Sequence, residues 1–372
     1  MRKAVLGILV GILTIGVMGL AVEFRFLGEL TIPTGLWAFS GMPVGEISGL
    51  AYDPDTGIYY GICDNRGKDP EEGVAGRLYA LSIGVSEEGI SGVRVLDMIL
   101  LDSDPGTPGI QPYGPGEVDA EEVVLTPDGR LIVSSERDLE NRPWIRIFSQ
   151  EGELLEEVPV PEEFMPGDGV GVRKNLAFEA MALSPDGKTL FVATEQALAQ
   201  DGPICTTDHG TTVRIVQYNL SGDTPAVVAE YAYITEPIFA APLDTYADNG
   251  VPAMVYIKHI LPEYDLLVVE RAYVSGVGND IKVFGVKISG ADDVKDVPAL
   301  PFPFTGNAVE KTLLLRISAL PEYSDIPVEP DNIEAICLGP TLPSGNPSLI
   351  LASDNNYNPH QRNLFLAFEI VH

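Results

Sequence analysis

Short runs of alternating apolar and polar residues, punctuated by proline and glycine, fill the chain from Phe24 to Ile370. Runs of this length and period predict strands rather than helices. Aligned on a proline, several fall into register. They are "SGLAYDPDTGIYYGICDN" from Ser48, "EEVVLTPDGRLIVSSERD" from Glu121, "EAMALSPDGKTLFVATEQ" from Glu179 and "EAICLGPTLPSGNPSLILASDNN" from Glu334. A weaker copy is "YIKHILPEYDLLVVERAY" from Tyr256. In each, an apolar strand enters a turn and an apolar strand returns. Proline fixes one turn dihedral and the following residues tolerate positive φ, so "PDG" is strong turn chemistry.

A third apolar run follows every hairpin ("GRLYALSI", "PWIRIFS", "TTVRIVQYNL", "DIKVFGVKI", "RNLFLAFEI"), and a fourth follows all but the last. The strand missing there is available near the N-terminus as "FRFLGELTIP". Repeated four-stranded units predict an all-β propeller. Five blades are visible, a sixth could hide in the long connections, and the N-terminal strand would close the ring by joining the C-terminal blade. A large β-sandwich is the competing fold, and five units in register count against it.

This geometry decides where the acids go. In a propeller the first strand of each blade lines the channel, and a hairpin sets the start of strand one beside the end of strand two. Glu46, Glu121, Glu122, Glu179 and Glu334 stand at first-strand starts; Asp64, Glu136, Glu195, Glu270 and Asp354 stand at second-strand ends. All should gather at one mouth, where the long connections also open. Crowded carboxylates repel and raise one another's pKa, a cost that a bound cation removes. Oxygen donors, with Asn65, Asn355 and Asn356 nearby, suit Ca²⁺. The histidines lack metal-ligand spacing, which argues against zinc. Any single acid is as readily a loop cap or ion-pair partner; recurrence favours the cation. The expected metal ligands are therefore Glu121, Glu122, Glu179, Glu334, Asp64, Glu270 and Asp354. Glu136 and Glu195 are candidate bases. Arg66, Arg137 and Arg271 follow exit acids and could clamp an anion, as could Arg173, Lys174 and Lys258 in substrate binding. Internal salt bridges are the plainer reading of each.

Composition sharpens this picture. The net charge is −31, from 54 acidic and 23 basic side chains, which opposes binding to nucleic acid and anionic membranes. At the N-terminus, Arg2 and Lys3 precede an apolar run to Met18 and a small-x-small site at Gly19 and Ala21. This predicts a cleaved secretory signal over 1–21, then one domain over 22–372, secreted or periplasmic. An uncleaved N-terminal anchor is the alternative. Cys63, Cys205 and Cys337 are too few for a disulfide scaffold, though one bridge could form.

The segments "EISGLAYDPDTGIYYGICDNRG", "DAEEVVLTPDGRLIVSSERD", "FEAMALSPDGKTLFVATEQAL" and "DNIEAICLGP…LILASDNNYN" resemble the esterase-like phytase domain family over nearly the whole chain from about Phe24. The resemblance implies an exported propeller with phosphoester or ester hydrolase activity, and its motif positions are Glu46, Asp64, Arg66, Glu121, Glu122, Glu136, Glu179, Glu195, Glu270, Glu334 and Asp354. Three functions compete. One is a Ca²⁺-dependent hydrolase of phosphoesters, taking a small anionic or ester substrate. Another is a metal-dependent lactonase or sugar-ester hydrolase. The third is a non-catalytic ligand- or partner-binding propeller with structural Ca²⁺. No Gly-x-Ser-x-Gly elbow is present, and Ser48, Ser134 and Ser135 lack a histidine partner in their repeats, so a serine esterase is disfavoured.

Overall fold

The computed structural model describes residues 22–69 and 73–371. The expected signal sequence over 1–21 lies outside the described residues. Among them are five four-stranded antiparallel sheets and one two-stranded ribbon. The blades are Ile47–Asp53, Ile58–Cys63, Arg77–Ser86 and Gly89–Leu100; Ala120–Leu125, Leu131–Ser135, Trp144–Phe148 and Leu154–Val158; Phe178–Leu183, Thr189–Thr194, Thr212–Asn219 and Ala226–Ile234; Ala247–Tyr256, Leu266–Val274, Gly278–Lys287 and Glu310–Ser318; and Ile333–Thr341, Pro347–Ser353, Arg362–Val371 and Glu23–Pro33. In the last blade the N-terminal strand lies against the C-terminal one, with Phe24 opposite Ile370 and Pro33 opposite Arg362. No sixth blade is found among the described residues. No helix of the described residues is long and apolar enough to cross a membrane.

Both faces of each blade are buried, because an apolar layer fills every gap between neighbours. Ala51, Ile62 and Leu78 of the first blade meet Val123 and Val133 of the second. Ile132 and Ile145 meet Phe178 and Val192; Ala182 and Phe191 meet Met254 and Phe284; Leu267 and Val283 meet Ile333 and Leu366. Ile350 and Phe365 then meet Ile47 and Tyr79, which closes the ring. Each such side chain is worth about 1.5–3 kcal/mol of transfer free energy, so the blades hold together without help from disulfides. All three cysteines are buried and free.

In four blades the turn between strands one and two holds a glycine at positive φ: Gly57, Gly129, Gly187 and Gly345. The fourth blade departs from this. Its inner strand is Ala247–Tyr256, not the segment after Tyr256 that the proline alignment selects. Residues 257–265 form a longer connection, begun by Ile260 and Leu261 amides donating to the Ile257 carbonyl. Pro262 sits inside that connection, so aligning on it shifts the repeat out of phase.

Every innermost strand bulges near the same end. The register slips between Ile47 and Gly49, Ala120 and Val123, Phe178 and Ala180, Gly250 and Ala253, and Ile333 and Ala335. A bulge inserts one unpaired residue and re-aims its side chain. Glu179 and Glu334 are the inserted residues in their strands, and Glu121 and Glu122 share the slip in theirs.

Candidate functional site

The bulged ends open on a cavity of about 830 Å³. Its lining includes eleven acids (Glu46, Asp64, Asp119, Glu121, Glu179, Glu195, Asp248, Glu329, Asp331, Glu334, Asp354) against five basic residues (Arg66, Lys68, Arg137, Arg271, Arg362). Six formal negative charges are therefore left over in one concave site. Most of the sequence-derived positions meet here, from five different blades.

Two arginines organise the floor. Arg271 donates to Glu195 Oε1 at 2.8 Å and to Asn332 Oδ1 at 2.6 Å, and lies 3.5 Å from Glu334 Oε1. Burial opposes its charge, but Glu334 and Glu195 outweigh that and hold it more firmly protonated than usual. Arg137 pairs with Asp119 Oδ2 at 2.5 Å and donates to Asn175 Oδ1 at 2.6 Å. Arg66 stands 3.5 Å from the same Asp119 oxygen and donates to the Gly116 carbonyl.

The carboxyls that remain are short of counter-charge. Burial, then Glu179 and Asp119, push Glu121 well up. Burial, then Glu136 and Glu195, do the same to Glu179. Asp64 is raised by burial, Asp354 and Glu46, and its Oδ1 has no hydrogen-bond partner among the described residues. Asp354 is raised by burial, Glu334 and Glu46. Burial carries Glu136 up to about 7, although the Ala177 amide donates to its Oε1 at 2.6 Å. Burial carries Glu195 up to about 8 despite Arg271. Glu136 and Glu179 are hydrogen-bonded to each other, as are Glu334 and Asp354. Two carboxyls can share such a bond only with a proton between them.

Oxygens of Asp119, Glu121 and Glu136 can lie within 4.8 Å of one another, as can ligand atoms of Glu46, Cys63 and Asp64. The first set is all carboxylate and fits a hard cation. In the second, burial pushes the Cys63 thiol up to about 11, which leaves Glu46 and Asp64 as its usable donors.

Five expected site residues stand elsewhere. Glu122 follows Glu121 in the bulge and faces the opposite half of the channel. Glu270 is fully buried and satisfied: it accepts from Tyr233 at 2.7 Å, Lys311 at 2.7 Å, the Glu236 amide at 2.8 Å and Asn249 at 3.1 Å. Its strand runs on to Val274, so alternation sends Arg271 to the mouth and Glu270 between blades. Lys258 belongs to the 257–265 connection at the far mouth and pairs with Asp265. Arg173 donates to the Ala197 and Gly202 carbonyls, fixing a loop, and Lys174 is exposed outside the cavity. Ser134 and Ser135 accept backbone amides of Glu122 and Asp119, a structural use.

The sequence reading missed Asp119, Asp248 and Asn332. The Asp-Asn pair at 248–249 recurs at 331–332, and that repetition marks the true start of the fourth inner strand. Asn332 bridges Glu334 and Asp354 through its amide nitrogen at 3.0 and 3.2 Å. At Gly250 an added Cβ would fall 2.5 Å from Glu195 Cγ, so the fourth blade leaves its space to that acid.

A protein from Arthroderma benhamiae named an uncharacterized secreted protein is 27% identical over 180 residues, 41% of this chain. The match spans about a third (34%) of that relative's length. Among solved structures, the periplasmic gluconolactonase of Pseudomonas aeruginosa is 12% identical, covering 94% of this chain and 97% of its own, with a TM-score of 0.38. A putative 6-phosphogluconolactonase from Bacteroides uniformis is 13% identical, covering 87% and 81%, at 0.37. The phytase-like family model, described as esterase-like activity of phytase, matches residues 42–357. That span takes in all five innermost strands and the acids they carry, and the chain belongs to the phytase-like family.

Proposed function

We propose that the chain is an exported, Ca²⁺-dependent hydrolase of phosphoesters or related esters that works at the carboxylate mouth. One observation carries this reading: eleven acids against five basic residues line a single cavity, and their crowding raises their proton affinities, a cost that a bound cation would remove. Asp119, Glu121 and Glu136 would hold one cation, with Glu179, Asp64, Glu334 and Asp354 adjoining. A divalent ion at such a site neutralises the anion and acidifies water. Glu195, with its proton affinity near neutral pH, takes the proton from the attacking water. Arg66 and Lys68 on the wall meet the substrate's anionic group. The leader expected over 1–21 and the naming of a relative as a secreted protein support action outside the cytoplasm, where calcium modules work at dissociation constants of about 10⁻⁴–10⁻³ M.

A second reading has its own support. Arg137 and Arg271 are already paired with acids, which suits a non-catalytic propeller stapled by Ca²⁺ around a ligand. The test is hydrolysis of p-nitrophenyl phosphate, p-nitrophenyl acetate and a sugar lactone by EGTA-stripped protein titrated with Ca²⁺, with Tm followed in parallel. Turnover that rises with Tm supports the enzyme, and the preferred ester separates phosphatase from lactonase. A rise in Tm without turnover supports the binding module. If Ca²⁺ moves neither, both readings fail.

A further inference from the structure

The wall of the carboxylate mouth is not uniform. Among the described residues its aromatic lining, His360 apart, is Tyr246 and Tyr273. Tyr273 lies on the second strand of the fourth blade, two residues beyond Arg271 and so on the same face. Strand pairing sets Asp248 opposite Tyr273 and Tyr273 opposite Asn279, and the Ala319 amide donates to the Asn279 carbonyl. Asp248, Tyr273, Asn279 and Ala319 therefore form one row across all four strands of the blade, and all four line the cavity. Tyr246 precedes the inner strand and is held at three points. Its hydroxyl donates to Asp248 Oδ2 at 2.7 Å, its amide donates to Asp244 Oδ1 at 2.9 Å, and its carbonyl accepts the Ser275 amide at 3.0 Å. Even so, it is 56% exposed. The two ring centroids are 6.0 Å apart, with 44° between the planes.

A tyrosine pair already fixed in this way loses little freedom when a ligand packs on it. Its faces suit a flat ring in an offset or tilted arrangement. The charges beside it oppose further anionic groups on that ring. Asp248 and Glu329 are acids of the same lining. Arg271 is engaged with Glu195 and Asn332, and Arg362 donates to the Glu329 carbonyl at 2.6 Å. We propose that Tyr246 and Tyr273 determine specificity at the mouth, selecting esters whose alcohol part is an uncharged aromatic ring. The ring packs on the pair while the ester group faces the carboxylates. This inference rests on the reading of the mouth as a hydrolase site. A quaternary ammonium, which could meet the same π faces and Asp248, is the competing occupant.

The experiment is calorimetric titration of the Ca²⁺-saturated full chain with four phosphonates: phenyl, cyclohexyl, n-hexyl and 2-(trimethylammonio)ethyl. Their P–C bond is not hydrolysed, so binding is read apart from turnover. Phenylphosphonate is expected to bind roughly five-fold or more tightly than the other three, as aromatic pairing beyond simple area burial predicts. Tyr246→Ala and Tyr273→Leu should each bring it down to the affinity of hexylphosphonate, and Tyr246→Phe, which keeps the ring, should retain the preference. A cooperative melting transition shows that each variant folds. Cyclohexyl- or hexylphosphonate binding as tightly as phenylphosphonate, tightest binding of the ammonium probe, no binding of any probe, or a preference that survives either ring-removing substitution would each overturn the proposal. The wild-type order is decisive even if a variant fails to fold. Turnover of p-nitrophenyl phosphate without the aromatic preference leaves the hydrolase standing and removes the subsite; the preference without turnover does the reverse.

Discussion

The two mouths of the channel are built by the same five strands and share almost no chemistry. At one, first strands begin and second strands end; the bulges aim Glu179 and Glu334 inward, and eleven acids line the cavity. At the other, the strands turn back through connections that are mostly short, and Glu122 is the single acid in a wall of Leu, Met and Ile. Polarity is therefore set by position along the strand relative to the bulge, not by which blade a residue belongs to. Glu121 and Glu122 make the point within one peptide bond, since the first serves the mouth and the second the apolar half.

The largest expected effect separates binding from chemistry within the acidic mouth. Glu195→Gln should lower turnover by about 10²–10⁴-fold, the range for loss of a general base, and keep the Ca²⁺-dependent rise in Tm. Glu121→Gln should lose both. Kinetics and Ca²⁺-titrated melting of the two variants check this; a Glu195→Gln protein with full activity would remove that residue from the mechanism. Next in size is Glu270, whose repeat position matches Glu195 but whose four hydrogen bonds are all structural. Glu270→Ala leaves Lys311 and Asn249 short of a partner and should cost about 3 kcal/mol, as breaking a buried pair does. Its Ca²⁺ titration midpoint should not move. A shifted midpoint would bring Glu270 back among the cation ligands.

Apolar runs and the proline-centred turns made the fold legible, because the inner strands of each blade are largely buried on both faces by the neighbouring blades, while the outermost strands alternate with exposed positions, and the turn glycines of four blades have a required φ. The mouth was legible for the same reason: hairpin geometry places Asp64, Glu121, Glu179, Glu195, Glu334 and Asp354 together wherever the repeat is in phase. It failed where phase was lost. The nine-residue connection of the fourth blade moved its inner strand upstream, which hid Asp248 and misassigned Lys258 and Glu270. Bulges were equally invisible, since they are settled by pairing across strands, and they decide that Glu122 turns away from Glu121. The loop roles of Arg173 and Asn332 depend on carbonyls and acids distant in the chain, which no local pattern records.

The third effect is in pH. Glu136 and Glu195 release protons near 7 and 8 when folded but near 4.5 when unfolded. Between 4.5 and 8 the folded state binds more protons, so stability is fully present below 4.5 and is lost as pH rises through the folded values. A tenfold difference in proton affinity between the folded and unfolded chain is worth about 1.4 kcal/mol. With relaxation and water entry, the EGTA-treated protein should lose on the order of 2 kcal/mol between about pH 5 and 8.5. With Ca²⁺ the trend should flatten or reverse, because the cation binds the deprotonated acids. Urea unfolding at both pH values, with and without Ca²⁺, measures this directly. A metal-free protein that grows more stable toward the alkaline end of that range would mean the mouth is not starved of positive charge.

The smallest effect is the most discriminating between the mouths. Glu122 is buried and its pKa lies well above the usual range, chiefly through desolvation. Glutamine keeps its shape and its hydrogen bond from the Val123 amide, and Glu122→Gln should change stability by less than about 1 kcal/mol at neutral pH. The same exchange one residue earlier, Glu121→Gln, should remove the response to Ca²⁺. Both variants can be read by urea unfolding with and without Ca²⁺. A Ca²⁺ response weakened equally by both would mean that the cation site reaches through the bulge into the apolar half. The division of the channel would then lie deeper than the slip between Ala120 and Val123.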